Sequence, residues 1–120
     1  MGGVKSLTHS YTKNGYLYYH INRGDTEQIE EILKADPELI DKPVTPNTKV
    51  TPLVLAAFIN NKKVIELLIN KWQADPNKPS EKGETPLIAA IRRNHIDMVK
   101  FLLEKGADPN YEDNYGLKTI

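Results

Sequence analysis

The residues that could carry chemistry are few, and their spacing decides against catalysis. Histidine occurs three times, at His9, His20 and His95. No Ser or Thr stands with a His in a pattern that would supply a nucleophile and its base, and there is no cysteine to take that place. The histidines are scattered, whereas metal ligation needs donors at short, regular intervals. No glycine-rich loop is available to cradle a phosphate. The runs Asp75-Pro76-Asn77 and Asp108-Pro109-Asn110 are turn chemistry, since Asp and Asn close turns through their own side chains and Pro fixes φ. No catalytic residue, cofactor site or metal site is expected, and the chain reads as a non-enzyme.

One covalent signal sits at the start. Met1-Gly2-Gly3-Val4-Lys5-Ser6 matches the pattern for myristoylation of Gly2, although Gly-Gly after Met is also what cloning leaves behind. A single myristoyl chain binds membranes only marginally, at about 10⁴ M⁻¹, and no nearby Cys or strong basic cluster offers a second anchor. Apolar stretches are short and interrupted by Asn, Lys or Glu, so no membrane span is expected. Lys plus Arg and Asp plus Glu balance at 16 each. That balance argues against a nucleic-acid partner, which needs a basic face to displace counterions from phosphates. With 39% apolar and 27% charged residues over 120 positions, the chain fits one folded domain with a modest core. The absence of cysteine fits an intracellular, cytoplasmic setting.

The elements behind these residues emerge from internal periodicity. Thr51-Pro52-Leu53 returns 34 residues later as Thr85-Pro86-Leu87, and Ala74-Asp75-Pro76-Asn77 returns after 33 as Ala107-Asp108-Pro109-Asn110. The discrepancy lies where Trp72-Gln73 stands opposite the single Gly106. Between these markers Val64-Ile65 and Leu67-Leu68-Ile69 answer Met98-Val99 and Phe101-Leu102-Leu103. Each unit reads as a turn, a short helix, a tight loop, a longer helix and a returning loop. Thr85 can cap a helix and Pro86 needs no donor at its first position. Ala56-Ala57 and Ala89-Ala90 are small enough for neighbouring helices to approach closely. In the second helix, Val64, Ile65, Leu68 and Ile69 line one face while Lys63, Glu66 and Asn70 point away. Such a unit cannot bury its face alone, so stacking must supply the core.

This pattern resembles the ankyrin repeat. The run Gly83-Glu84-Thr85-Pro86-Leu87-Ile88-Ala89-Ala90, then Asn94-His95, then Val99 through Asn110 carries the resemblance, and Thr51 to Asn77 is similar. A weaker copy has Leu17, Ile21, Gly24-Asp25, Ile29, Ile32-Leu33 and Ala35-Asp36-Pro37 in register, and a partial fourth opens at Asp113-Asn114-Tyr115-Gly116. The resemblance implies an all-α solenoid of helix-turn-helix units joined by β-turn or hairpin loops. Residues 1–14 form a flexible tail and 15–120 the repeat domain, divided into 15–44, 45–77, 78–110 and a partial 111–120. Asn60 and Asn94 hold the place of the usual Gly that ends the first helix, because Asn tolerates the left-handed conformation. Val54 and Ile88 replace the usual His after Thr-Pro-Leu, which exchanges a side-chain hydrogen bond for apolar packing. His95 stands where the family commonly carries a structural His, and His20 falls on an Ala position.

The two ends differ. Gln28 and Glu31 occupy positions filled later by Val64 and Met98 and by Leu67 and Phe101, as a polar outer face requires. The last complete repeat keeps Met98, Val99, Phe101, Leu102 and Leu103 with no polar replacement. That end is expected to continue into further chain or to be covered by a partner. Three repeats lie near the minimum for a stable stack, so stability should be modest.

The resemblance implies a protein-interaction module or scaffold that binds another protein through its concave face. Carried over position by position, the binding surface comprises Asn22 and Arg23, Phe58 and Ile59, and Arg92 and Arg93 on the first helices. The loop tips add Asn47, Thr48 and Val50, then Glu81, Lys82 and Glu84, then Asn114, Tyr115 and Leu117. Phe58-Ile59 flanked by Arg92-Arg93 matches the anatomy of an interface hot spot, while the plainer reading tucks Phe58 under the next repeat. Tyr11, Tyr16, Tyr18 and Tyr19 are a second local enrichment, of a kind favoured at interfaces, but Tyr18 and Tyr19 lie on the expected first helix and packing is the preferred reading. Asn77 and Asn110 hold tip positions that can be hydroxylated in animal ankyrin repeats, with Pro109 replacing the usual aliphatic residue. The rival function is a targeting or regulatory segment of a larger enzyme, channel or host-directed effector. The excess of Lys over Arg, with frequent Asn and Ile, hints at an AT-rich genome.

Overall fold

The computed structural model describes residues 13–44 and 49–110. Gly2, Asn47, Thr48, Asn114, Tyr115, Leu117 and the partial repeat 111–120 lie outside the described residues. Six α-helices and no strand occur among the described residues, paired as α1 (Lys13–Arg23) with α2 (Thr26–Ala35), α3 (Pro52–Phe58) with α4 (Lys62–Glu66), and α5 (Pro86–Arg92) with α6 (Ile96–Glu104). The first helices pack side by side, α1 on α3 and α3 on α5. This is an all-α repeat stack. Helix α1 opens at Lys13, two residues inside the stretch assigned to the tail. Nothing in Lys13-Asn14-Gly15 stops a helix, since an interior Gly costs only about 1 kcal/mol relative to Ala.

Local rules set the helix ends. Thr51 Oγ1 accepts the Val54 N–H at 3.3 Å and Thr85 Oγ1 accepts the Ile88 N–H at 3.2 Å. Pro52 and Pro86 follow at the first helical positions. Both threonines are buried, so losing either hydroxyl strands an N–H away from water. Asn60 and Asn94 end their helices at φ 63° and 60°, in the left-handed region, and Gly24 ends α1 at φ 73°. Gly24 is doubly constrained, because a Cβ there would stand 2.7 Å from the Asn61 side-chain amide of the next repeat.

The extra residue of the second repeat is absorbed within its helix. Beyond Glu66 the helix widens into a π-turn over Leu67–Lys71, with the Trp72 N–H donating to Leu67 O at 3.3 Å. Widening one turn to an i→i+5 bond takes up a residue without turning the helix away from its core. Ala74, beyond the extra residue, therefore stays buried like its counterpart Ala107. Gln73 takes a left-handed φ of 54°, where the third repeat has Gly106 at 99°.

One continuous core runs through the stack, from Leu17, Ile21, Ile29 and Leu33 to Leu53, Val64, Ile65 and Leu68, and on to Leu87, Met98 and Leu102. Ala56, Ala57, Ala89 and Ala90 are fully buried, so the close helix approach read from their size is realised. Val54 and Ile88 are buried too, consistent with apolar packing at the exchanged His position. The outer face of α2 is polar, with Gln28 and Glu31 exposed. On the last described repeat, Ile91 is 39% exposed, although Ala57 at the same register position is at 0%. Ile96 and Leu103 of the same repeat are exposed as well. Of the five apolar residues read as open there, Met98, Phe101 and Leu102 are in fact buried and Val99 half-buried. Phe101 is roofed by Lys62 and Lys105, whose Nζ atoms lie 5.2 and 5.5 Å from its ring centre; cations favour an aromatic face, and their stems cover it.

The loops are tied down by named contacts. Asp75 and Asp108 each accept the N–H two residues on, from Asn77 at 2.9 Å and Asn110 at 2.8 Å. The Asn77 amide then reaches the next repeat, donating to Gly106 O at 3.0 Å and accepting the Asp108 N–H at 2.6 Å. In the longer loop after α2, Leu39 in a 3-10 turn (Pro37–Asp41) and Val44 are buried.

Candidate protein-binding groove

The exposed side of the first helices and the loop tips face each other across a groove. Its floor is helix α3, which contributes Val54, Leu55 and Phe58, and Tyr18 of α1 adjoins them. Val50 lies on one tip and Ser80, Lys82 and Glu84 on the next, and together these residues enclose a cavity of about 370 Å³. The second tip is a closed turn. Ser80 accepts the Glu84 N–H on its hydroxyl at 3.3 Å, its own N–H donates to Glu84 O at 2.8 Å, and Gly83 at φ 88° makes the bend. The Ser80 hydroxyl is thus engaged in shaping the loop. Among the described residues no group of three His, Asp or Glu side chains could hold a metal ion.

The groove brings together four residues singled out from the sequence: Val50, Phe58, Lys82 and Glu84. Phe58 is 39% exposed, and the Arg93 guanidinium lies 4.3 Å from its ring centre. Arg92 pairs with Glu84 at 3.5 Å, and Glu81 with Lys49 at 3.2 Å. Others are placed elsewhere. Ile59 packs against the core, so the structure divides the Phe58-Ile59 pair. Asn22 donates to Tyr18 O within its own helix at 3.1 Å. Arg23 pairs with Asp25 at 3.0 Å. The tip positions Asn47, Thr48, Asn114, Tyr115 and Leu117 lie outside the described residues.

The sequence reading missed Tyr18, Leu55, Val54 and Ser80. Tyr18 and Tyr19 were expected to pack, yet both are exposed. Leu17 and Ile21, one turn apart, take the buried side of α1, which turns the two intervening rings outward. Tyr18 falls in register with Val54, so the repeat alignment itself held the signal. Tyr19 instead meets His20 edge-on at 5.0 Å and carries Arg23 5.4 Å from its ring centre.

The register position that opens each second helix is used in three ways. Asp25 turns back and accepts from His20 Nδ1 at 3.0 Å and from Arg23 Nε at 3.0 Å. Those bonds, the one from His20 foremost, hold its carboxyl below the usual carboxylate range. Asn61 caps its own helix, accepting the Val64 N–H at 3.1 Å. His95 reaches the preceding repeat, with Nε2 3.1 Å from Phe58 O, a structural role that fixes the backbone under the groove. On the second helices Lys71 pairs with Glu30, and that hydrogen bond lowers the Glu30 carboxyl in the same sense.

A sequence model described as ankyrin repeats matches residues 17–113 in three copies. Among curated proteins the chain is 39% identical to alpha-latrocrustotoxin-Lt1a of Latrodectus tredecimguttatus, over 68% of this chain and 6% of the toxin. It is 28% identical to ankyrin repeat and SAM domain-containing protein 6 of Mus musculus, over 88% of this chain and 12% of that protein. It is 31% identical to the E3 ubiquitin-protein ligase KEG of Arabidopsis thaliana, over 94% of this chain and 7% of the ligase. The chain thus spans a small part of the length of these relatives.

Proposed function

The chain belongs to the ankyrin-repeat family, and from that premise we propose that it holds a partner protein in the concave groove between its first helices and its loop tips. Repeats of this family are generally protein-interaction modules and mostly non-catalytic. The observation that carries the reading is the groove itself: an apolar floor with a half-exposed Phe58, walled by tips that bear charge. Interfaces concentrate their binding energy in such aromatic anchors set within a polar rim. Among the described residues no helix is long and apolar enough to cross a membrane. An intracellular site of action, with the chain monomeric or covered by its partner at the α6 end, belongs to the same proposal.

Phe58→Ser tests the reading. Partner affinity should fall by tenfold or more, about 1.4 kcal/mol or above, with a much smaller effect on the melting temperature. A collapse in melting temperature would return Phe58 to the core. Chemical-shift mapping with a bound partner supplies the second readout. Shifts should centre on Val50, Phe58, Lys82 and Glu84, and shifts confined to α2, α4 and α6 would sink the proposal.

A second reading is favoured by the lengths of the relatives, which carry such repeats within much longer proteins. In it these repeats are the targeting or regulatory segment of a larger enzyme, channel or effector. The groove would work the same way in that setting.

A further inference from the structure

We infer that the groove recognises a polypeptide segment with an apolar or aromatic anchor flanked by carboxylates. The inference rests on the groove reading above and adds the chemistry of the occupant. It follows from how the charges around the groove are already spent. The Glu84 carboxylate is paired with Arg92, and the Glu81 carboxylate with Lys49. Both acids at this tip therefore have their cations. Two cations do not have an acid: among the described residues, Lys82 and Arg93 have no carboxylate partner.

Their positions make that surplus useful. Lys82 lines the cavity, and Arg93 lies against Phe58, which lines it too. A guanidinium stacked on a ring keeps its N–H edge free for a bidentate carboxylate. An anchor side chain seated on Phe58 and Leu55 brings its chain neighbours within reach of both cations. A basic segment in the same place would set like charges together, which costs affinity and excludes it. The chain as a whole has no net charge, so the selectivity comes from this local surplus.

The test begins with a display library of random peptides selected on the immobilised chain. An enriched peptide and its counterpart with Asp and Glu changed to Asn and Gln are then titrated by fluorescence polarisation. The titrations use the wild type, the Lys82→Ala/Arg93→Ala double variant and Phe58→Ser. Acidic residues should be enriched beside an apolar one. Removing the carboxylates should weaken binding about tenfold at low salt and should cost little in the double variant, whose substitutions lie on the surface. Enriched peptides without carboxylates overturn the inference, as does an equal loss in the double variant; both leave the groove reading standing. Peptides that bind Phe58→Ser as tightly as the wild type, or no enrichment at all, overturn the groove reading instead. Labelled single-stranded DNA serves as a counter-probe, and binding as tight as the peptide's would also defeat the inference.

Discussion

Asn77 shows how much of the stack rests on single polar side chains. Its amide both donates to and accepts from the following loop, and each such bond contributes about 0.5–1.5 kcal/mol net. Asn77→Ala should therefore cost about 1–3 kcal/mol, read as a lower urea midpoint at unchanged slope. Asp25 carries a pH signature. Its native carboxyl titrates below its unfolded value, so its contribution is complete above the ordinary carboxylate range and is lost as pH falls through the depressed value. Melting temperatures of the wild type and Asp25→Asn should differ at neutral pH and converge in acid. A gap that persists at low pH would exclude the pairing with His20 and Arg23 as its cause. Residues governed by local rules were legible in the sequence: Thr51 and Thr85 as caps, Asn60 and Asn94 as left-handed ends. Ser80 was not, because its place in the groove depends on how its turn lies over helix α3.

At the scale of elements, the left-handed residue that follows the second helix differs between the second and third repeats. Gln73 takes there a conformation in which Gly106 follows α6, and a non-Gly residue in that region is strained by about 1–2 kcal/mol. Part of the gain from relieving it is offset by the greater freedom of Gly in the unfolded chain. Gln73→Gly should therefore raise stability by about 0.5–1 kcal/mol in thermal unfolding, and a loss would mean that the Gln73 side chain makes a contact worth more than the strain. The helices themselves were readable from apolar spacing and caps. The π-turn was not, since a one-residue surplus between Leu68 and Ala74 fits a loop or a helix equally well in sequence. Only the need to bury both residues decides for the helix.

For the whole molecule, the continuous core predicts that the repeats unfold together. Leu53 is buried in the central repeat, and Leu53→Ala should cost about 2–5 kcal/mol. Circular dichroism should then show one lowered transition; two separated transitions would mean that the repeats fold independently. The stacked architecture was legible because the repeat spacing dictates it, and half of the groove followed from register. The remainder is tertiary, set by how far each tip leans over α3. The π-turn over Leu67–Lys71 has an evolutionary corollary. A lineage carrying such a turn can gain or lose one codon inside the helix while Asn77 keeps its clasp on the next loop. Length variation of that kind would be nearly silent to selection on binding, whereas the same insertion at the Ser80–Glu84 tip would reshape the groove at once.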